Sequence, residues 1–389
     1  ASSELQEDIQ PFEGKFPKAE QVAWLGCLPR PLLSWYDKEK RILPWRENTD
    51  PYRVWVSEIM LQQTRVEAVR PFFEQFIKAL PKVEDVAVCP EEQLLKLWEG
   101  LGYYNRVRNI QKAAVRIVKE YGGRLPADYE KLKELPGIGN YTAGAVASIA
   151  YDLPVPAVDG NVLRVLTRVL SCDEDITLPK TKETFRQLLL EVEPSPGAGD
   201  FNQSLMELGA MVCLPNGAPQ CLVCPLSSLC QAHLEGKELF FPVKPPKKER
   251  KIQERTLFLF DCQIGTQQEK YTLLHQREAK GVLAGMWEFP AEESALSKAQ
   301  ADCAAHKLCS LMGLDFEGVS PEKPSRHIFT HIEWKMSAWQ VRAFAKTLPQ
   351  NLPDGFLLIP ASQIGDTEQS NIALPSAFKA YRKRFVSSF

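Results

Sequence analysis

The chain has 389 residues, 44% hydrophobic and 25% charged, with a formal net charge of −2. That length exceeds one ordinary domain, and the composition is that of a globular protein, so two or three domains with true cores are expected. No uninterrupted apolar run of about 18 residues exists, which argues against a membrane partner, and the charge excludes a chain coated in positive charge while leaving a local basic face open.

Residues 1–17 are polar and acidic and lack the apolar stretch of a secretory signal. The initial Ala leaves a processed leader open. An intracellular location is expected: cytoplasm or nucleoid in a bacterium, nucleus or mitochondrion in a eukaryote.

From Glu20 to about Glu235 the pattern is helical almost throughout. Asp50-Pro51 reads as a helix start, a capping residue before a proline at the first helical position. Further helices are expected over 91–98, 107–120, 129–135, 141–151, 162–170, 181–192 and 201–211, punctuated by Gly122-Gly123 and by the Pro/Gly-rich stretch 194–199.

Three features in this half carry chemistry. Glu58 follows Val54, Trp55 and Val56 and precedes Ile59, Met60 and Leu61. Position alone reads first as a surface glutamate; burial among these neighbours would instead raise its pKa and suit an acid. Leu135-Pro136-Gly137-Ile138-Gly139-Asn140-Tyr141-Thr142-Ala143 joins two helical patterns. Its glycines permit a tight turn, and the helix that follows offers unpaired N–H groups to a phosphate; a lone Gly-x-Gly is more often a plain turn, but the flanking Leu-Pro and Thr-Ala sharpen this one into a phosphate-gripping helix–hairpin–helix. Asp159, before Gly160 and a helical run, reads as an N-cap.

Of ten cysteines, Cys27, Cys89, Cys172, Cys262, Cys303 and Cys309 are scattered and read as small core residues. Cys213, Cys221, Cys224 and Cys230 cluster with seven, two and five residues between them. So dense a set reads as a metal site, and ligand type alone leaves both structural zinc and an iron–sulfur cluster open.

Residues 237–254 are rich in Lys, Arg and Pro and read as an interdomain linker, either a solvated spacer or a basic strap along DNA phosphates. Beyond it the period shifts toward two: strands over 255–264 and 271–276, a helix over 296–312, and one or two strands over 328–344. The three regions are therefore 1–236, 237–254 and 255–389, the last an α+β domain.

The glycine loop, Asp159 in Val158-Asp159-Gly160-Asn161 and the four-cysteine loop together resemble the endonuclease III superfamily of DNA glycosylases. Within it, Leu43-Pro44-Trp45-Arg46, the run Ser57 to Thr64 and Gly100-Leu101-Gly102-Tyr103-Tyr104 are similar to the MutY family. One departure is the seven residues between Cys213 and Cys221, where the family usually has six.

The resemblance implies an all-α helix–hairpin–helix glycosylase domain with a four-cysteine iron–sulfur loop, followed by an α+β Nudix-like domain. It implies excision of adenine mispaired with 8-oxoguanine, and with guanine, from double-stranded DNA by a monomer carrying a [4Fe–4S] cluster. Glu58 would protonate the base, Asp159 would stabilise the oxocarbenium-like sugar, and Tyr141 and Asn161 would support the pair. Trp45, Arg46, Leu61, Val66 and Gln203 would line the adenine pocket. Gln63, Thr64, Leu101 and Tyr103 would insert near the gap, Gly137 and Gly139 would hold a phosphate, and Cys213, Cys221, Cys224 and Cys230 would bind the cluster.

Gly285-Met286-Trp287-Glu288-Phe289-Pro290 is similar to part of a Nudix fold, but the helix expected after it lacks the paired glutamates that hold magnesium, so this domain should bind and not hydrolyse. Phe329-Thr330-His331 matches the family's lesion-reading loop, usually Phe-Ser-His. A bifunctional relative has lysine where Tyr141 stands, and tyrosine cannot form a Schiff base, so base removal without strand cutting is expected. The rivals are an endonuclease III-like lyase, a Nudix hydrolase and a silent DNA-binding scaffold.

Overall fold

In a computed structural model the chain is described over residues 18–246, 249–365 and 372–386. The acidic amino-terminal stretch and Lys247-Lys248 of the basic segment lie outside the described residues. Two compact units emerge: residues 1–89 with 106–246, and residues 90–105 with 247–389.

In chain order the helices are α1 (Lys18–Leu25), α2 (Pro29–Glu39), α3 (Pro51–Leu61), α4 (Val66–Ala79), α5 (Val83–Val88), α6 (Glu91–Leu97), α7 (Asn105–Tyr121), α8 (Tyr129–Lys133), α9 (Asn140–Tyr151), α10 (Gly160–Val169), α11 (Pro179–Leu190), α12 (Ala198–Met211) and α13 (Gln231–Leu234). All but α6 belong to the first unit. As expected, Asp50 starts α3: its carboxylate accepts from the N–H groups of Tyr52 (2.8 Å) and Arg53 (3.1 Å). One core draws on Leu25 and Leu32 from α1 and α2, Leu163 and Leu166 from α10, Phe185 and Leu189 from α11, and Phe201 and Leu205 from α12. Each such side chain contributes about 1.5–3 kcal/mol on burial, so the helix carrying Asp159 at its head is anchored along its length. Helix α9 packs on both α3 and α12. It also lies so close to the loop before Asp159 that a Cβ on Gly144 would sit 2.1 Å from the Pro156 carbonyl oxygen.

The second unit is built on a seven-stranded mixed sheet of order β3-β2-β1-β6-β5, with β4 on β1 and β7 on β2. Its strands are β1 (Lys251–Ile264), β2 (Lys270–Gln276), β3 (Trp287–Glu288), β4 (Ala291–Glu292), β5 (Asp315–Ile328), β6 (Ile332–Ala345) and β7 (Phe356–Pro360). Strands β1 and β6 run parallel from Lys251↔Ile332 to Ile264↔Ala345, and the other pairings are antiparallel. Alternate residues of β1 serve opposite faces. Leu257 and Leu259 pack with Phe378, Tyr381 and Phe385 from the carboxyl-terminal segment. Phe258 and Phe260 pack with Ala301, Ala305 and Cys309 of α14 (Lys298–Met312). Two further helices, α15 (Ser362–Gly365) and α16 (Lys379–Val386), complete the unit.

Several sequence boundaries differ. Strand β1 starts at Lys251, inside the stretch expected to be linker. The earlier part of that stretch is not a bare spacer: the Phe241 and Val243 carbonyls accept from Arg168 Nε (3.0 Å) and the Ile176 N–H (3.3 Å). Residues 90–105 cluster with the second unit, where Glu99 Oε1 accepts from the Leu374 N–H (3.3 Å) and pairs with Arg382. The expected strands over 328–344 resolve into β6 alone, and its partner β5 had no period-two signal, being an edge strand rich in charge and proline with two register shifts. Cys27 and Cys303 are exposed, whereas Cys89, Cys172, Cys262 and Cys309 are buried as expected. Among the described residues no helix is long and apolar enough to cross a membrane.

Candidate active site

The first unit encloses a cavity of about 700 Å³ whose lining includes Glu58, Tyr141, Asp159 and Asn161. Trp45, Arg46, Leu61, Gln63, Thr64, Val66 and Gln203, scattered over 159 positions in sequence, line it as well.

Glu58 faces inward from α3 and is buried. Tyr141, in the first turn of α9, donates its hydroxyl to Glu58 Oε2 and also contacts Met206 Sδ at 3.6 Å. Burial pushes the Glu58 carboxyl up to about 7; Asp159 adds to the rise, while the Tyr141 bond and Arg46 oppose it. Asp159 does cap α10: Oδ1 accepts from the Asn161 and Val162 N–H groups at 2.8 and 2.7 Å, and Oδ2 accepts from Asn161 Nδ2 at 2.8 Å. Burial raises its pKa, and those three donors pull against the rise. The two carboxyls thus differ in kind: Glu58 has a neutral phenol partner, whereas Asp159 has three N–H donors that favour its ionised form.

Behind Asn161 stands Arg164, which donates to Asn161 Oδ1 (2.8 Å), Gly209 O (2.7 Å) and Cys213 O (2.8 Å). A Cβ on Gly209 would lie 2.6 Å from Asn161 Cβ. The cap is therefore held by close backbone approach on one side and by a buried guanidinium on the other.

Sequence reading missed several residues here. Glu207 accepts from Arg41 Nε and Nη2 (both 2.8 Å) and from Arg46 Nη2 (2.9 Å). Burial alone would raise its carboxyl, but these arginine bonds outweigh it and hold the group at about 2. A signal existed: Glu207 lies four residues after Gln203 on α12, one turn along the same face. Arg106, just past the glycine-tyrosine motif, donates Nη1 to the carbonyls of Ile59 (2.9 Å), Met60 (3.0 Å) and Gln62 (2.7 Å). It thereby satisfies the carboxyl end of α3 and fixes the turn in which Gln63 adopts φ +58°. Lys182 and Lys244 also line the cavity, the latter from the basic segment.

In the glycine loop, Gly137 has φ +77°, and a Cβ there would lie 2.7 Å from Asn109 Cβ. Gly139 caps α9 with no side-chain hydrogen bond and open space beside it.

Cys213, Cys221, Cys224 and Cys230 surround one small cavity together with Arg168. Arg168 Nη1 donates to Cys213 Sγ at 3.2 Å, and the Cys230 thiol donates to the Arg168 carbonyl at 3.4 Å. Burial pushes the Cys224 and Cys230 thiols up to about 12 and about 11, so thiolates here call for a bound cation to offset their charge.

Leu101 and Tyr103 lie in the second unit, Leu101 buried and Tyr103 half exposed. Tyr103 has φ +49°, and its hydroxyl meets Thr330 Oγ1 at 2.7 Å. Phe329, Thr330 and His331 form the turn between β5 and β6, with the Phe329 N–H donating to Ile332 O (2.8 Å). Phe329 packs edge-on against Trp334, 4.8 Å between centroids. The Arg255 guanidinium lies over Trp334 at 4.2 Å and pairs with Glu288, as does Arg277. The glutamate of the Nudix-like motif therefore sits in a buried ion cluster beneath the turn. Helix α14 lacks the paired glutamates, as expected.

Residues 56–193 match the model of the HhH-GPD superfamily of base excision DNA repair proteins, and residues 263–384 match the NUDIX domain. The adenine DNA glycosylase of Mus musculus is 38% identical over 336 residues, 75% of this chain and 65% of the mouse protein. That of Rattus norvegicus is 40% identical over 315 residues, 69% of this chain and 61% of the rat protein. That of Schizosaccharomyces pombe is 33% identical over 362 residues, 77% of this chain and 78% of the yeast protein. The chain thus spans slightly less than two thirds of the length of the two rodent relatives.

Proposed function

The chain belongs to the adenine DNA glycosylase family, and on that premise we propose that it excises adenine mispaired with 8-oxoguanine, or with guanine, from duplex DNA and leaves an abasic site. The observation that carries the reading is the buried Glu58–Tyr141 pair facing the capped Asp159 across one cavity. A stacked adenine must leave the duplex to reach such a group. Gln203, Arg46 and Glu207 offer the polar edge of the extruded base donors and acceptors, and Trp45 and Leu61 supply apolar contact. Gln63 and Thr64 fill the gap it leaves. Gly137, Gly139 and the amino end of α9 hold a phosphate, and Lys182 and Lys244 add positive charge at the cavity.

In the reaction, the bond between sugar C1′ and adenine N9 breaks, and its electron pair leaves with the base as Glu58 delivers its proton to N7. Asp159, ionised, stabilises the positive charge on the sugar. Glu58, now a carboxylate, takes a proton from water as the water oxygen bonds to C1′, which restores the acid. Tyr141 offers no amine to the sugar, so strand cutting is not part of the cycle.

The four cysteines suit a [4Fe–4S] cluster: four sulfurs enclose one cavity, and Arg168 balances thiolate charge at Cys213. When bound, the cluster cross-links the loop. Arg164 then ties that loop, through the Cys213 carbonyl, to Asn161.

On the second unit, 8-oxoguanine differs from guanine by O8 and by an N–H at N7. The Thr330 hydroxyl both donates and accepts, so one group can sense both changes, with Tyr103 as its partner. Threonine in place of serine stiffens that rotamer.

Single-turnover cleavage of duplexes carrying A:8-oxoguanine, A:G or an oxidised pyrimidine, with and without alkali, tests the reading. Alkali-dependent breaks at adenine, faster opposite 8-oxoguanine, are expected. Breaks without alkali at an oxidised pyrimidine would overturn it.

A further inference from the structure

The four cysteines are not equivalent. Cys213 and Cys230 both contact Arg168, through its guanidinium and its carbonyl. Cys221 instead stands beside a second set of metal-binding groups: one ligand atom each of Cys221, His233 and Glu238 lies within 4.8 Å of the others. Local structure brings them together. Helix α13 places His233 three residues after Cys230. Gly236, at φ +65°, closes that helix, and the Gly236 and Lys237 N–H groups return to His233 O and Ala232 O at 3.0 and 2.7 Å. The reversal brings Glu238 Oε1 to 2.5 Å from His233 Nδ1. A carboxylate on one imidazole nitrogen fixes the tautomer and leaves the other nitrogen as a lone-pair donor, which is how a metal-ligating histidine is oriented.

We propose that His233, backed by Glu238, is a reserve ligand at the Cys221 corner of the cysteine loop, able to hold a cluster iron in place of Cys221. The inference rests on the iron–sulfur reading above. Two observations support it independently. Cys213 and Cys221 bound the lengthened seven-residue segment, and Cys213 is held by Arg168, so the extra residue bears on Cys221. It also stands beside the Glu238 carboxylate, which repels a thiolate, so its bond to iron should be the weakest of the four. Imidazole replaces thiolate as an iron ligand in some [2Fe–2S] centres, so the exchange is chemically ordinary.

The test uses the full chain with Cys221→Ala, Cys224→Ala, His233→Ala and the double variant Cys221→Ala/His233→Ala. Alanine cannot ligate, so a retained fourth bond must come from another residue. Iron and sulfide content, and pulsed EPR of the cluster after one-electron chemical or cryogenic reduction, are measured, none of which depends on adenine excision. Cys221→Ala should keep about four irons per chain, the number expected of wild type, and show nitrogen coupling absent from wild type. Cys224→Ala and the double variant should lose most of their iron, while His233→Ala stays loaded. Loss of iron from Cys221→Ala, or its recovery only as insoluble protein while His233→Ala is soluble and loaded, would overturn the proposal, because a reserve ligand should rescue folding with loading. Equal iron in Cys221→Ala and the double variant would also overturn it. A wild-type chain that never carries iron would sink the cofactor reading itself, a separate result.

Discussion

Replacing Tyr141 by Phe removes a hydroxyl that donates to Glu58 Oε2 while keeping the ring that fills the space. Burial lifts Glu58 from 4.5 to about 7, and the Tyr141 bond is the largest of the influences that restrain the rise. A hydrogen bond to a charged group is worth about 1.5–3 kcal/mol, and one pKa unit about 1.4 kcal/mol, so its loss should raise Glu58 by about one to two units more. A general acid works only when protonated. The wild-type single-turnover rate should therefore fall about tenfold per unit as pH rises beyond about 7. In Tyr141→Phe the plateau rate should drop, because the carboxyl loses a positioning partner, yet the descending limb should begin one to two units higher. Rates on an A:8-oxoguanine duplex between about pH 5.5 and 9.5 measure both effects. A limb that stays in place, or moves to lower pH, would refute the assignment of that titration to Glu58.

Glu58→Gln should lower single-turnover excision by at least about 100-fold and still fold more stably above neutrality. The raised carboxyl favours its protonated form in the folded state, so its contribution is fully present below 4.5 and lost as pH rises through about 7, in total about 3 kcal/mol. Thermal melts should thus separate the variant from wild type at pH 8 and bring them together near pH 5. Glu207→Gln should show the opposite sign: the depressed carboxyl stabilises above 4.5 and stops doing so as pH falls through about 2, again about 3 kcal/mol. Urea unfolding should find this variant weaker at pH 7, with the gap closing in strong acid. Thr330→Ala should reduce the preference for A:8-oxoguanine over A:G by about tenfold, the worth of one hydrogen bond, and Tyr103→Phe by less. An equal fall on both substrates would mean that Thr330 serves the turn alone.

Legibility varied with the range of the physics involved. Asp159 was readable as a cap because capping is a matter of three adjacent residues. Glu58 was not readable by position, since burial of a glutamate amid apolar neighbours depends on α9 lying against α3, and only resemblance pointed to it. Glu207 showed only its one-turn spacing from Gln203; its partners Arg41 and Arg46, more than 160 residues away, were hidden for the same reason. In the second unit, β1 announced itself through the apolar run Leu257 to Phe260, which is buried on both faces. Strand β5, open on one edge, carries charge and proline there and gave no alternating pattern. The resemblance located the Phe329–Thr330–His331 turn but gave no hint of the ion cluster that supports it, because Arg255, Arg277, Glu288 and Trp334 meet only in the assembled sheet.

The excursion of residues 90–105 into the second unit bears on how the chain comes to be folded. Glu99 bonds to Leu374 and Arg382, 275 and 283 positions later. Contacts of that span are costly to close before other structure exists, and during synthesis their far halves emerge last. The segment bearing Tyr103 therefore gains these two partners only once the carboxyl end has been made. A cut at residue 246 would take the Leu374 and Arg382 partners of Glu99 off the same chain, so dividing the gene there parts residues 90–105 from the unit with which they cluster.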